Sequence, residues 1–556
     1  MQRPSPWKSC DFPGGGVSAR LGRPVALWGL AAFLGLWLGF PNDAVSAPPV
    51  ALLWPLALAA LGLSAPSAGS ALRRGWLAGL LGATAALYWL SLPVHDVGGL
   101  PWALAVPCAV LISGIVTFAG GLFCAGARIG RTLAPWRLAL GLALFWYLLE
   151  YAAAVLIGFP WLTLSGALAV WPALVQTADT LGAYATEGLW LFAALLALFA
   201  FPRLAGLAEA DGRAFRPRRL VCSALILALT LGYGFWRLDA APLEISPEGP
   251  ESVGVLFVEG NVDQGQKWLP AMQAETVDRY CALTEQGLAA LGWTEDGRGE
   301  EPHGEPPLVI WPETALPFFF QTHQLAGRVL ELVRREKAPL LFGAPGVERP
   351  APGNGAEPLV YNRAFLLGPD GRLAGSYDKE HLVPFGEYAP PWLNWPFLEA
   401  LLQGVGVYTE GTATAPLRYG NLALGVLICY EGIFPWLAQA RVADGANILV
   451  DISNDGWFRG TPASRQHLAL TVLRALEQER WLLRGTNTGI SAVVDTRGRI
   501  TAMGPQFRAG TLAARARLAS GTSRYHLLAP WLPLLAAVAL VLVALPGLLR
   551  RTGAHV

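Results

Sequence analysis

Apolar residues occur along this chain in two rhythms. Before residue 240 they form unbroken stretches at 24–40, 49–64, 75–93, 101–125, 137–158, 184–201 and 219–237, and another closes the chain at 526–549. Each is close to the ~20 residues that span a bilayer's hydrocarbon core, so eight membrane-spanning helices are expected. From about 251 to 520 the apolar stretches shorten, and short Val/Ile/Leu runs alternate with segments of helical periodicity. Strands are expected at 253–258, 308–311, 340–343, 361–367, 372–377, 422–428 and 447–452, with a closing hairpin turning at 495–498. Helices are expected at 276–291, 325–333, from 434, and at 466–483. Pro369-Asp370-Gly371 marks a hairpin turn. This alternation predicts an α/β layered domain, dividing the chain into 1–240, 241–522 and 523–556.

Charge fixes an orientation. Arg3, Lys8, Arg20 and Arg23 precede the first stretch, while the next loop holds only Asp43. Arg73 and Arg74 follow the second, and the third loop offers only His95 and Asp96. Arg128, Arg131 and Arg137 mark the fourth, residues 159–187 contain no Lys or Arg, and Arg203, Arg213, Arg216, Arg218 and Arg219 mark the sixth. Cytoplasmic loops carry the basic excess, so both termini are expected in the cytoplasm, Arg550 and Arg551 included. The segment from about 238 to 525 is then outside. A competing reading makes the first stretch a signal peptide ending near Val45-Ser46-Ala47; it leaves the large segment on the same side.

Composition agrees. The 556 residues are 53% hydrophobic and 15% charged with a formal net charge of +1, against about 25% charged in soluble proteins. Near-neutral charge argues against a nucleic-acid partner. The six cysteines, at 10, 108, 124, 222, 281 and 429, form no CxxC pair. No His/Cys/Asp grouping has metal-ligand spacing, so neither metal nor other cofactor is expected. Glu150, inside the fifth stretch, is expensive in lipid and is expected either to face a cavity or to serve in helix packing.

Three residues in the α/β segment stand at ends of expected strands, where such sheets present functional groups: Glu313, Lys379 and Cys429. Singly each has an ordinary structural reading. Together they make a nucleophile, a base and a cation: Glu313 would take the thiol proton, while Lys379 would stabilise the thiolate and then the tetrahedral oxyanion, assisted by the backbone N–H of Tyr430. The product is an acyl-cysteine.

Trp311-Pro312-Glu313-Thr314-Ala315, the stretch from Tyr377 to Tyr388, Ile428-Cys429-Tyr430-Glu431 and Asn454-Asp455-Gly456-Trp457-Phe458 resemble the signature blocks of the apolipoprotein N-acyltransferases. The resemblance implies eight membrane spans joined to a nitrilase-like αββα sandwich outside the bacterial inner membrane. It implies Glu313 as base, Lys379 as oxyanion stabiliser and Cys429 as nucleophile, with Glu387, Tyr430 and Glu431 in support and Trp268 at the substrate. Which of Glu313, Glu387 and Glu431 share the base role stays open. Glu259 departs from the Gln usual before Gly-Asn in that family. The implied reaction moves an acyl chain from the sn-1 position of a phospholipid such as phosphatidylethanolamine to Cys429. The chain then passes to the free α-amine of an apolipoprotein's N-terminal diacylglyceryl-cysteine, the enzyme acting as a monomer. Apolar loops at 318–320 and 390–402 are expected either to touch the bilayer or to be buried.

The rival enzyme is a membrane-tethered amidase using the same residues on a soluble C–N substrate; it leaves the seven leading stretches unexplained. A Cys-His hydrolase lacks a recognisable His block, and a transporter is opposed by few internal charges and no inverted repeat. A disulfide between Cys281 and Cys429 would mask the nucleophile, and none is expected.

Overall fold

The computed structural model describes residues 18–42, 44–45, 47–207, 213–240, 252–293, 306–349, 357–388 and 408–552. The leading region is helical: α1 (Ser18–Gly39), α2 (Leu53–Leu63), α3 (Ala68–Ala86), α4 (Ser91–Asp96), α5 (Trp102–Gly130), α6 (Pro135–Leu156), α7 (Leu164–Leu168), α8 (Ala178–Phe199), α9 (Pro202–Ala205) and α10 (Pro217–Asp239). All eight expected stretches fall on helix. By length and composition, α5, α6, α8 and α10 suffice to cross a membrane singly. The third stretch does not run straight to residue 93 as expected: α3 ends at Ala86, and Tyr88–Asp96 continues after a 67° bend. The apolar helices Pro24–Gly39, Pro48–Leu63 and Leu532–Gly547 are shorter. Close helix approach in this region uses small residues. A Cβ on Gly62 would stand 2.2 Å from the Cys124 carbonyl oxygen, so α2 and α5 meet backbone to backbone.

The second region is two six-stranded sheets face to face. One has the order β12-β1-β2-β3-β4-β5, from β1 (Val253–Glu259), β2 (Leu308–Ile310), β3 (Leu340–Glu348), β4 (Leu359–Leu367), β5 (Leu373–Asp378) and β12 (Gly510–Ala516). The other has the order β11-β10-β9-β8-β7-β6, from β6 (Leu417–Tyr419), β7 (Leu422–Ile428), β8 (Ile448–Ser453), β9 (Leu482–Thr486), β10 (Ala492–Val494) and β11 (Ile500–Met503). The β1-β2-β3 and β7-β8-β9 pairings are parallel. Phe257, Ile310, Leu341, Ile428, Val450 and Leu483 form the layer between the sheets. These strands are buried on both faces, which is why they read as continuous apolar runs.

Helices α11 (Pro270–Ala290) and α12 (Ala326–Glu336) cover the first sheet. Helices α13 (Pro435–Ala443) and α14 (Ala463–Gln478) cover the second and are themselves covered by the helical region: one apolar cluster joins Leu427, Leu470 and Ala475 to Trp89, Leu164 and Leu195. Nearly every residue of α14 is therefore buried. Helices α15 (Arg524–Leu528) and α16 (Leu532–Thr552) lead back along α8 and α6. The helix expected at 466–483 is shorter, because Glu479 takes a left-handed φ of 49° that ends it and Leu482 enters β9.

Candidate active site

Glu313 sits in the loop after β2, held against β3 by close backbone contact. A Cβ on Gly343 would lie 2.6 Å from the Thr314 nitrogen and 2.7 Å from the Glu313 Cα, so that position requires glycine. Lys379 follows β5, its N–H donating to the Asn362 carbonyl at 2.9 Å. Cys429 follows β7 at the turn into a short 3₁₀ helix, Cys429–Ile433, with φ 57°. A non-glycine residue in this region costs of order 1–3 kcal/mol, a strained strand-to-helix elbow that projects a nucleophile from the sheet's end.

The predicted residues converge. Lys379 Nζ lies 2.9 Å from Glu387 Oε2 and 3.4 Å from Glu313 Oε1. Asn362 Nδ2 donates to Glu313 Oε1 at 2.7 Å and Glu387 Oε1 at 2.6 Å. Glu387 Oε2 also accepts from the Val383 N–H at 2.8 Å, so both its oxygens are occupied. Glu313 differs: its Oε2 is buried with no hydrogen-bond partner among the described residues. Glu431 is wholly buried and saturated, accepting from Tyr377 OH, the N–H groups of Glu380 and His381, and the Ile428 N–H at 2.7–3.0 Å. It ties the segment after Lys379 to the strand that leads into Cys429. The three carboxylates are thus separated by geometry: one with a free oxygen at the triad, one locked to the lysine, one spent on backbone.

The electrostatics follow from burial. Burial pushes the Cys429 thiol well above its usual range, Glu313 adds to this, and Lys379 opposes it only in part. The thiol therefore needs a base to take its proton, the role expected of Glu313. Burial would lower Lys379, but Glu387 and Glu313 outweigh it and hold the ammonium well above its ordinary value.

Residues 32–197 match the family described as apolipoprotein N-acyltransferase N-terminal domain, and residues 306–524 match carbon-nitrogen hydrolase. The apolipoprotein N-acyltransferase of Geobacter metallireducens is 35% identical over 88% of this chain and 89% of its own. The chain belongs to the apolipoprotein N-acyltransferase family. A putative apolipoprotein N-acyltransferase of Bordetella parapertussis is 35% identical over 91% and 94%, and that of Azotobacter vinelandii 31% identical over 90% and 92%. A carbon-nitrogen hydrolase crystal structure from Helicobacter pylori aligns with 48% of this chain and 89% of its own, at 17% identity and TM-score 0.34.

In this N-acyltransferase the sequence reading missed a second buried lysine. Lys267 is 2% exposed, donates to Thr314 Oγ1 at 2.5 Å, and is lowered to about 8 by burial, with Glu313 and Cys429 both acting electrostatically on it. Its neighbour Trp268, expected at the substrate, has a ring that is 42% exposed and lies 5.6 Å from Lys267 Nζ. Also missed was the layer behind the nucleophile. His467 Nε2 is 3.2 Å from the Cys429 carbonyl oxygen and Nδ1 3.1 Å from Asp455. Burial would raise Asp455, but Arg484 and His467 hold it down at about 2. The Asn454-Asp455 block carried that signal.

Tyr430 faces the helical region. Its hydroxyl donates to the Gly158 carbonyl and its ring stacks on Phe159 at 6.4 Å. Glu150 lines a small cavity beneath, with Trp146, Phe159 and Trp161. The loop 318–320 divides: Phe318 and Phe320 belong to the core under the first sheet, while Phe319 is exposed. Aromatic neighbours Phe342 and Phe365 draw Phe320 inward. The apolar loop at 390–402 lies outside the described residues. Among the described residues no three His, Cys, Asp or Glu side chains group to hold a metal.

Proposed function

We propose that this chain transfers a fatty acyl group from a membrane phospholipid to the α-amine of an apolipoprotein's N-terminal diacylglyceryl-cysteine, through a thioester on Cys429. The observation that carries this reading is the unpartnered Oε2 of Glu313 beside a neutral thiol and a buried ammonium. As Cys429 Sγ attacks the ester carbonyl, Glu313 Oε2 takes its proton and Lys379 stabilises the oxyanion. The C–O bond breaks, and the lysophospholipid oxygen leaves with the proton returned by Glu313. In the second half-reaction the amine attacks the thioester, Glu313 takes the amine proton, the C–S bond breaks, and the proton returns to sulfur. Glu387 fixes Lys379, Glu431 positions the segment after it, Tyr430 supplies its N–H to the oxyanion, and Trp268 sits where substrate approaches.

The same reading places all eight apolar helices across the inner membrane, with 1–240, 241–522 and 523–556 as seven spans, outer catalytic domain and eighth span. Independent support comes from where the sandwich docks. Gln466 donates to the Pro41 carbonyl, Arg459 pairs with Asp96 at 2.7 Å, and Tyr430 donates to Gly158. All three contacts lie at the loops poor in Arg and Lys, the outer side by charge.

The test uses purified protein in phospholipid vesicles with a diacylglyceryl-cysteine peptide. The expected product is an N-acylated peptide and an equimolar lysophospholipid, with no reaction when the peptide amine is acetylated. Release of free fatty acid alone would overturn the transferase reading in favour of hydrolysis.

A further inference from the structure

Away from the triad, a cavity of about 310 Å³ opens between the outer ends of α6, α8 and α16 and the start of α13, within the ~300–1,000 Å³ usual for ligand sites. The backbone is shaped for it. Gly182 breaks α8 with φ 75°, and a Cβ there would stand 2.3 Å from the Tyr525 ring. Tyr147, Tyr184 and Tyr525 line the cavity and are 6%, 7% and 8% exposed, yet among the described residues none of their hydroxyls has a hydrogen-bond partner. These hydroxyls are not sealed in the core: they open onto the cavity and are free to donate to a bound group.

The two ends of the cavity differ. The Arg474–Glu477 ion pair, 2.8 Å apart and buried, acts electrostatically on Tyr184 and Tyr525. That pair is neutral as a unit, and Glu150 and Glu187 also act electrostatically on Tyr184, so the polar end offers hydroxyl donors without net positive charge: it suits an uncharged acceptor, not a phosphate. The rest of the lining includes Ala529 and Leu532, beside the exposed apolar side chains of Leu528, Trp531 and Leu535.

We propose that this cavity is a second lipid site, distinct from the Cys429 centre, that takes a fatty-acyl glycerol ester with its ester carbonyl on the tyrosine hydroxyls and its chain toward α16. Such an ester occurs both in bilayer phospholipid and in a diacylglyceryl-cysteine. The site adjoins the nucleophile through aromatic contacts: Trp436 of its wall lies 5.0 Å from Phe434, which stands edge-on to Tyr430 at 5.1 Å.

The test is photolabelling of the full chain in detergent micelles with a phosphatidylglycerol carrying a diazirine in one acyl chain, read by peptide mass spectrometry. Label on the Trp436 and Ala529–Leu532 peptides is expected at about fivefold or more over Leu225 and Leu229, exposed apolar residues of α10. Ala529→Trp, which fills the mouth, should cut that label about fivefold, and Tyr184→Phe with Tyr525→Phe about threefold. Displacement by excess unlabelled phosphatidylglycerol or by an amine-acetylated diacylglyceryl-cysteine peptide then identifies which ester occupies the site. Label no stronger than on α10, unaffected by Ala529→Trp, or displaced by neither competitor would overturn the proposal.

Discussion

Replacing Lys267 with Met separates stability from catalysis. The lysine is buried, and burial lowers it from 10.5 to about 8. At ~1.4 kcal/mol per pH unit this corresponds to about 3 kcal/mol against folding while the group is charged. Losing the hydrogen bond to Thr314 returns about 1 kcal/mol, leaving a gain of about 2 kcal/mol for Lys267→Met at pH 7. For a domain of this size that is a Tm higher by about 4 °C. The sign with pH is fixed. The unfolded chain binds more protons than the folded one between pH 8 and 10.5, so the wild type gains stability over that window and the advantage of the variant fades. Activity should move the other way. With Lys267 gone, Glu313 and Cys429 lose one of the two buried cations that act on them, the thiol is harder to ionise, and thioester formation should fall about 100-fold. Thermal unfolding in detergent between pH 7 and 10, with single-turnover acylation on the same samples, reads both. A variant less stable at pH 7, or an advantage that grows with pH, would refute the reasoning.

Three further outcomes are expected. Glu313→Gln removes the charge that raises the Cys429 thiol, so the pH midpoint of iodoacetamide alkylation should fall while acylation drops about 1,000-fold; an unchanged or higher midpoint would contradict the coupling. Gln466→Leu unpairs the buried indole N–H groups of Trp89 and Trp161, bonded to Gln466 at 3.1 and 2.8 Å, and should cost about 2–4 kcal/mol, seen as a Tm loss of several degrees. Burial raises Glu259 to about 7, so its ionisation costs the fold stability as pH rises from about 4.5 through 7; Glu259→Gln should raise Tm at pH 8 and change it little at pH 5, and an equal shift at both would count against this.

The strands carrying Glu313 and Cys429 were legible because each is a buried apolar run with a polar break at its end; the largely exposed strand before Lys379 was legible from the Pro369-Asp370-Gly371 turn that opens its hairpin. What the pattern could not carry was distance. Lys267 stands 46 residues before Glu313 in the chain, and nothing local distinguishes it from a solvated lysine beside Trp268. The role of α14 was hidden for another reason. It is buried on one side by the sheet and on the other by helices, yet it carries Arg474, Glu477 and Gln478, which read as surface until their partners appear. Glu387 and Glu431 look alike in sequence as possible bases; only the hydrogen-bond inventory, saturated for both and open for Glu313, separates them.

The central claim is covalent chemistry at one sulfur, and intact-protein mass spectrometry after incubation with phospholipid tests it most directly. The account predicts a single acyl addition that hydroxylamine removes and that Cys429→Ala abolishes. Equal acylation of the wild type and Cys429→Ala would contradict it.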